Sequence, residues 1–279
     1  MHAVVCIKQV PDTTEVRIDP KTGTLDRRGV PNIVNPEDLH ALEAALEFRD
    51  RFGGRVTVLT MGPNFAASAL RECLALGADE GVLLTDRRFA AADTFATTYA
   101  LWSAIQKIEK ERGPVDVVLT GRYALDGDTG QVGPGLARRL RVPLLSYVTA
   151  IEEVDFEAKR IVVQRHIEGA VVTLESRLPA VLTCSADLNQ VRYASLPALL
   201  AAQQAQVTAW SVDDVGADPE QCGLKGSPTI VSKSFVPEPR TDTCRLFEGE
   251  PAEAAASLVD FLIAEHRIPG FEPVGAKEA

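Results

Sequence analysis

The sequence predicts an α/β protein built on a parallel sheet, and three features predict it. Short β-branched runs, Val4–Ile7, Val56–Thr60, Gly81–Thr85 and Val115–Thr120, have the continuous apolar character of strands buried on both faces. Segments of helical periodicity separate them, giving a β-α-β-α order. Each connection is long enough for the right-handed crossover that parallel strands require.

The elements follow in order. After the first strand, Val16–Ile18 and Thr24-Leu25 flank Asp19-Pro20-Lys21-Thr22-Gly23, a turn composition that predicts a hairpin. Asn35-Pro36-Glu37-Asp38 offers an N-cap, a proline at the first helical position and acids in the first turn. Leu39, Leu42, Ala45 and Leu46 continue at helical spacing until Gly53-Gly54. A second helix is expected from Pro63 to Leu76, stopped by Gly77. A third is expected from about Asp93 to Arg112, with Phe95, Tyr99, Trp102 and Ile105 on one face. Beyond Pro143 the pattern changes to Ser146–Val154, Arg160–Ile167 and Val171–Ser176, joined by short turns: an antiparallel meander over the sheet edge. Ala180–Cys184 is a further buried strand, and Pro197–Gln204 a short helix. Trp210–Gly249, rich in proline, glycine and charge, predicts an extended arm, and Pro251–His266 an amphipathic helix carrying Leu258, Phe261 and Leu262. The expected division is therefore an α/β domain over 1–205 and, over 206–279, an extended C-terminal arm and helix that need a partner surface.

Composition bounds the function. With 279 residues, 46% hydrophobic and 24% charged, the chain is neither disordered nor fibrous. Twenty-nine basic residues against 39 acidic leave a net charge of −10, which argues against non-specific nucleic-acid binding. No apolar run approaches the ~20 residues of a membrane span. The opening Met1–Lys8 is strand-like rather than a signal peptide, so a cytoplasmic protein is expected. Five widely spaced cysteines with no C-x-x-C pair predict reduced, mostly buried thiols and no metal or iron–sulfur centre.

The chemistry concentrates in Gly121-Arg122-Tyr123-Ala124-Leu125-Asp126-Gly127-Asp128-Thr129-Gly130-Gln131-Val132-Gly133-Pro134, which follows a buried strand and opens a helix. Open α/β sheets bind ligands there. The glycines admit close backbone approach, and the helix start offers free N–H groups to phosphate. Asp126 and Asp128 can accept from hydroxyls; Thr129 and Gln131 can donate to phosphate oxygens. A nucleotide or dinucleotide site is the best reading, although neither G-K-[ST] nor an early G-x-G-x-x-G is present. Two rivals remain open at this point. Asp126-Gly127-Asp128-Thr129 resembles the D-x-D-x-T nucleophile of haloacid-dehalogenase-like phosphatases, though it lies about six residues past the strand. The stretch can also be a glycine-rich turn and nothing more.

The residues now in view carry a family resemblance. Val5-Cys6-Ile7-Lys8-Gln9-Val10-Pro11-Asp12, the Asn35-Pro36 start, Met61-Gly62-Pro63, the glycine loop, Leu178-Pro179-Ala180-Val181 and Arg192-Tyr193-Ala194-Ser195-Leu196-Pro197 resemble the beta (small) subunit of electron-transfer flavoprotein over nearly the whole chain. The resemblance implies a Rossmann-like, adenine-nucleotide-alpha-hydrolase-like fold and a heterodimer with a larger alpha subunit. It also implies that electrons are carried by flavin rather than handled by catalytic side chains. Gly127 and Val132-Gly133-Pro134, with Gly226-Ser227-Pro228-Thr229 and Lys233-Ser234-Phe235, are similar to the electron-bifurcating group, whose beta subunit holds FAD where simple carriers hold AMP. A small residue at 127 and an apolar 132–134 also leave more room for an isoalloxazine.

By that resemblance Cys6, Asn35, Asp38, Met61 and Leu125–Pro134 line the adenine-nucleotide end, and Thr94 and Thr97 can reach phosphate or flavin. Tyr193–Ala202 matches the recognition loop, with Leu196 as the anchor for acyl-CoA dehydrogenases. The implied donor is NADH, and the implied acceptors are a dehydrogenase or quinone oxidoreductase and a ferredoxin or flavodoxin. One departure stands out: His166 follows Arg165 where simple carriers have a glutamate.

Overall fold

The computed structural model describes residues 1–12, 17–18, 25–26, 31–232 and 244–265, in two compact units, Met1–Ser234 and Phe235–Ala279. In the first unit the chain runs β1 (His2–Cys6), β2 (Gln9–Pro11), β3 (Arg17–Ile18), β4 (Leu25–Asp26), β5 (Asn32–Val34), α1 (Pro36–Phe52), β6 (Arg55–Met61), α2 (Ala67–Leu76) and β7 (Glu80–Leu84). It continues through α3 (Thr94–Arg112), β8 (Val117–Gly121), α4 (Val132–Leu140), β9 (Leu144–Asp155), β10 (Arg160–Ile167), β11 (Ala170–Arg177), β12 (Ala180–Cys184), α5 (Leu196–Gln204) and β13 (Thr208–Trp210).

Nine strands form one sheet in the order β11-β10-β9-β12-β8-β1-β6-β7-β13. From β9 to β13 every pairing is parallel, and β10 and β11 add the antiparallel meander. The meander continues the sheet in its own plane rather than lying over its edge. Strand alternation sorts the two cores. Ala3, Val5 and Ile7 face the layer containing Leu42 and Leu46 of α1 and Leu70 of α2. Val4 and Cys6 face the layer with Ile105 of α3 and Leu136 of α4. From β1 the chain builds outward through β6 and β7, then returns to place β8 on the other side. The carboxyl ends of β1 and β8 therefore flank a topological switch point, where such sheets open a crevice.

Several expectations change in detail. The hairpin exists as the pairing Arg17↔Asp26 and Ile18↔Leu25; its turn, Asp19–Gly23, lies outside the described residues, as do Val16, Thr24 and Lys233–Phe235. Phe95 is not on the buried face of α3: it is exposed, with Arg139 stacked 4.6 Å from its ring centre. Residues 206–232 are not an arm. Thr208–Trp210 pairs with β7, and Trp210, Val212 and Cys222 join the core beneath α3, with Lys107 and Arg112 over the Trp210 ring. The expected boundary after residue 205 thus falls inside the first unit. A three-residue edge strand is too short to show a period, and its charged neighbours turn out to be cations seated on an aromatic face.

The second unit is described from 244 to 265. Its helix α6 (Pro251–Ala264) buries no residue; Phe247 and Phe261 meet at 5.6 Å and Arg245 sits over Phe261, while Leu258 and Val259 stay exposed. His266 lies outside the described residues. Cys6, Cys73, Cys184 and Cys222 are free and buried, and Cys244 is free and exposed. No helix among the described residues is long and apolar enough to cross a membrane.

Candidate functional site: a cleft at the carboxyl ends of the strands

A cleft of about 1080 Å³ opens at the switch point. Its walls come from the ends of β1, β6, β7 and β8, the starts of α3 and α4, and the glycine loop. The floor is set by Asp38 in the first turn of α1. Its carboxylate accepts from the Lys8 amide at 2.7 Å and the Gly121 amide at 2.9 Å, tying the ends of β1 and β8 together. Burial pushes this carboxyl up to about 7, against the pull of those two amides. Gly121 is required by sterics: a Cβ there would lie 2.7 Å from Glu37 Cβ and 2.8 Å from the Glu37 carbonyl carbon, and would also strike Asp38 Oδ1. Burial likewise raises the Cys6 thiol, with Asp38 adding to it, so Cys6 lines the cleft as an inert apolar wall.

The loop is braced from behind. Asn35 precedes α1 but makes no side-chain cap. Its amide instead donates to Tyr123 O at 2.9 Å and accepts from Leu125 N at 3.1 Å. The Ala124 carbonyl accepts from the amides of Gly127 and Asp128, and Asp128 and Gly130 take left-handed φ of 47° and 62°. Glycine suits the second position, and aspartate tolerates the first. Gly127 differs: a Cβ there meets nothing within 4 Å. The turn does not need glycine at that position for its own packing.

Two helix starts face the cleft. Asp93 caps α3, accepting from Ala96 N, and also takes Thr229 N and Oγ1 at 3.1 and 2.8 Å. Ser227 Oγ accepts from Asp93 N, so the Gly226–Thr229 stretch closes on this rim. The start of α4 has no side-chain cap. Its first-turn N–H groups, at Val132 and Gly133 on the cleft wall, remain available to an anion. Gly133 lets α4 approach the sheet, since a Cβ would collide with Thr183 Cγ2. Thr94 Oγ1 donates to Gln131 Oε1 at 2.7 Å, joining α3 to the loop.

Cys6, Asp38, Met61, Thr94, Thr97, Gly121, Arg122, Gly127, Asp128, Thr129, Gly130, Gln131, Val132 and Gly133 all line the cleft. Four expected residues do not. Asn35 is buried behind the loop, Leu125 is exposed on the turn, Asp126 is drawn 2.6 Å from Lys8 Nζ, and Pro134 lies beyond the helix start. An Asp126 paired with Lys8 and set outside the cleft does not suit a phosphatase nucleophile. Lys8, Asn64 and Arg87 were not assigned to the site, nor was Tyr123 within the glycine stretch, although the rule that ligands lie beyond strand ends points to each of them. Arg122 stacks on Tyr123 at 4.7 Å and its Nε lies 3.3 Å from Glu37 Oε1, whose carboxyl is raised by burial.

Away from the cleft, Tyr193, Leu196, Leu199 and Leu200 form an exposed apolar patch; Tyr193 is 99% and Leu196 69% exposed. Ser195 caps α5 through Ala198 N, with Ala194 and Pro197 completing the segment. Leu196 is therefore no core residue of this chain. His166 is exposed, and its neighbour Arg165 donates to Ser146 Oγ.

The electron transfer flavoprotein domain matches residues 22–215. The chain is 51% identical to the protein FixA of Bradyrhizobium diazoefficiens, covering 93% of this chain and 91% of the relative. It is 47% identical to the caffeyl-CoA reductase-Etf complex subunit CarD of Acetobacterium woodii (96% and 100%) and 45% identical to the electron transfer flavoprotein subunit beta of Clostridium acetobutylicum (96% and 100%). The chain belongs to the electron-transfer flavoprotein family. It is a beta-type subunit, and its likeness to FixA and CarD supports the bifurcating-type group that its loop resembles. The cleft of this flavoprotein subunit coincides with the glycine loop singled out from sequence.

Proposed function

We propose that this electron-transfer flavoprotein beta subunit binds FAD in the cleft. With an alpha subunit in the cytoplasm, it serves to pass electrons from NADH to a dehydrogenase or quinone branch and a ferredoxin or flavodoxin branch. The observation that carries the reading is the open space at Gly127 beside the uncapped start of α4. An uncapped helix start favours a phosphate, and a glycine that the turn itself does not require leaves room for a larger group. The volume, about 1080 Å³, is at the upper end of small-molecule sites and suits a dinucleotide better than AMP.

In this reading the amides of Val132 and Gly133 hold the diphosphate, with Thr97, Thr129 and Gln131 as further donors. Asp128 accepts from ribose hydroxyls, and Lys8 and Arg122 offset phosphate charge. Bound flavin supplies the chemistry that side chains lack, accepting electrons in pairs and releasing them singly. Helix α6, which buries nothing within its own unit, packs on the alpha subunit. The exposed Tyr193–Leu200 patch docks the dehydrogenase, and the name of the relative CarD supports an acyl-CoA reductase as the class of partner.

Anaerobic titration of the purified heterodimer with NADH, in the presence of ferredoxin and an acyl-CoA dehydrogenase supplied with an enoyl-CoA as electron acceptor, tests this. The expected result is reduction of both acceptors in equal electron numbers. If NADH leaves the flavin oxidised while a reduced dehydrogenase bleaches it, the subunit is a simple carrier.

A further inference from the structure

Glu43 is a buried carboxylate on α1 that neither lines the cleft nor packs in an apolar layer. Its partner is Arg192. Arg192 Nε donates to Glu43 Oε1 and Oε2 at 3.0 and 2.9 Å, Nη2 to Oε1 at 2.9 Å, and the Arg192 backbone N–H to Oε2 at 3.1 Å. Asp50, two turns further along α1, takes Nη1 at 2.9 Å. One turn before Glu43, His40 Nδ1 meets Asn189 Oδ1 at 2.9 Å, and Asn189 Nδ2 donates to the His40 carbonyl at 3.0 Å. Both the backbone and the guanidinium of residue 192 are thus held against three turns of a rigid helix.

The next residue is Tyr193, almost fully exposed, followed by the Leu196 patch. Residues 189–195 belong to no helix or strand. Tyr193 sits on that segment, and α5, which carries Leu196, Leu199 and Leu200, is entered through it; a connection left loose there costs affinity through the entropy of ordering it on docking, unless it is ordered beforehand. The Arg192 side chain stays about a third exposed, and a pair that solvent reaches adds little net stability. What the geometry supplies is a fixed point at the root of the patch, through a planar fork that lysine cannot reproduce.

We infer that Arg192, clamped by Glu43 and Asp50, is a positioning residue for partner docking, holding Tyr193–Ala202 in its binding arrangement. The inference rests on the reading of that segment as the dehydrogenase-docking surface. The same helix α1 contacts the cleft through Asp38, but the clamp lies on its later turns, so the two ends can be separated by mutation.

The test uses the assembled heterodimer and a reduced acyl-CoA dehydrogenase, with Arg192→Lys, Asp50→Asn, Leu196→Ala and the double variant Arg192→Lys/Leu196→Ala. Arg192→Lys is expected to raise KM for the dehydrogenase about tenfold, and Asp50→Asn about twofold. Flavin content and NADH-driven dye reduction should stay unchanged. If Arg192 acts by placing Leu196, the double variant is no worse than Leu196→Ala alone. Fully additive effects, or a lowered Tm with unchanged KM, overturn the inference and leave Arg192 merely structural. A Leu196→Ala variant with normal KM removes the docking reading itself, and the inference with it. A Leu196→Ala defect beside an unaffected Arg192→Lys removes the inference alone. Asp50 is surface-placed, so its variant still reports should Arg192→Lys fold poorly.

Discussion

The cleft and the α5 patch sit on the same unit and are built on opposite principles. At the cleft, glycine backbone is packed directly against its neighbours. Gly121 has no room for a methyl group beneath Glu37 and Asp38, Gly133 none beside Thr183, and Gly135 lies so close to Thr98 that a Cβ would sit 3.2 Å from its hydroxyl. At the patch, Tyr193, Leu196, Leu199 and Leu200 meet solvent, and the segment is tied down by side-chain bonds at its root and by α5 lying against α2 with Ala202 buried. A concave site shaped by sterics and lined with amides suits a small polar ligand, which must be met on all sides. An exposed apolar patch suits a second protein, where a few anchors carry most of the affinity. The contrast teaches where mutation is felt: in the fold at the cleft floor, in affinity at the patch.

The largest expected effect is at the floor. Gly121→Ala forces α1 away from β8 and should lower stability by about 4 kcal/mol or more, read from urea unfolding of the isolated subunit. Near-normal stability would show that the floor is softer than its geometry says.

Next comes pH. Burial raises the Asp38 carboxyl from 3.8 to about 7, so the folded state favours the protonated form more than the unfolded chain does. That contribution is complete below about pH 4 and lost as pH rises through 7. Between pH 5 and pH 8 it costs roughly 2 to 3 kcal/mol. Asp38→Asn should be less stable at pH 5, because one backbone amide loses its acceptor, yet should lack this part of the slope. Equal slopes in the two proteins would refute the assignment to Asp38.

Smaller again, Leu196→Ala should weaken dehydrogenase binding by about 2 kcal/mol and leave unfolding unchanged, because the side chain is mostly exposed. An unfolding shift larger than its binding shift would reverse the contrast between the two regions. Gly127→Asp should likewise act on binding rather than on the fold. With open space at its Cβ position, stability should move by no more than about 0.5 kcal/mol. The added carboxylate would repel phosphate in the cleft, so flavin content of the heterodimer should fall by about half. A folded variant with full flavin would show that this loop does not hold the cofactor.

The sheet was legible because its central strands are buried on both faces and read as β-branched runs; Val117–Gly121 and Ala180–Cys184 were placed within two residues or better. Its far edge was not. Thr208–Trp210 spans three residues, and Trp210 is buried by long-range contacts with Lys107 and Arg112 that no local pattern encodes. At the site, the glycine loop was visible as composition, but the roles within it were not. Glu37 and Asp38 read as acids of a first helical turn, Asp38 also as a residue lining the nucleotide end; both turn out to be buried, and Asp38 is in addition the tie between two strands. Asn35 looks like a cap and serves as a brace for the loop. Sequence names the residues that come to a strand end; only packing decides which face the ligand and which hold the backbone behind it.

The central claim is that the cleft of this beta subunit holds a second flavin. Denaturing the purified heterodimer in acid, then separating and counting the released nucleotides, tests it without reliance on any partner. Two FAD per heterodimer and no AMP is the predicted result; one FAD with one AMP would contradict it.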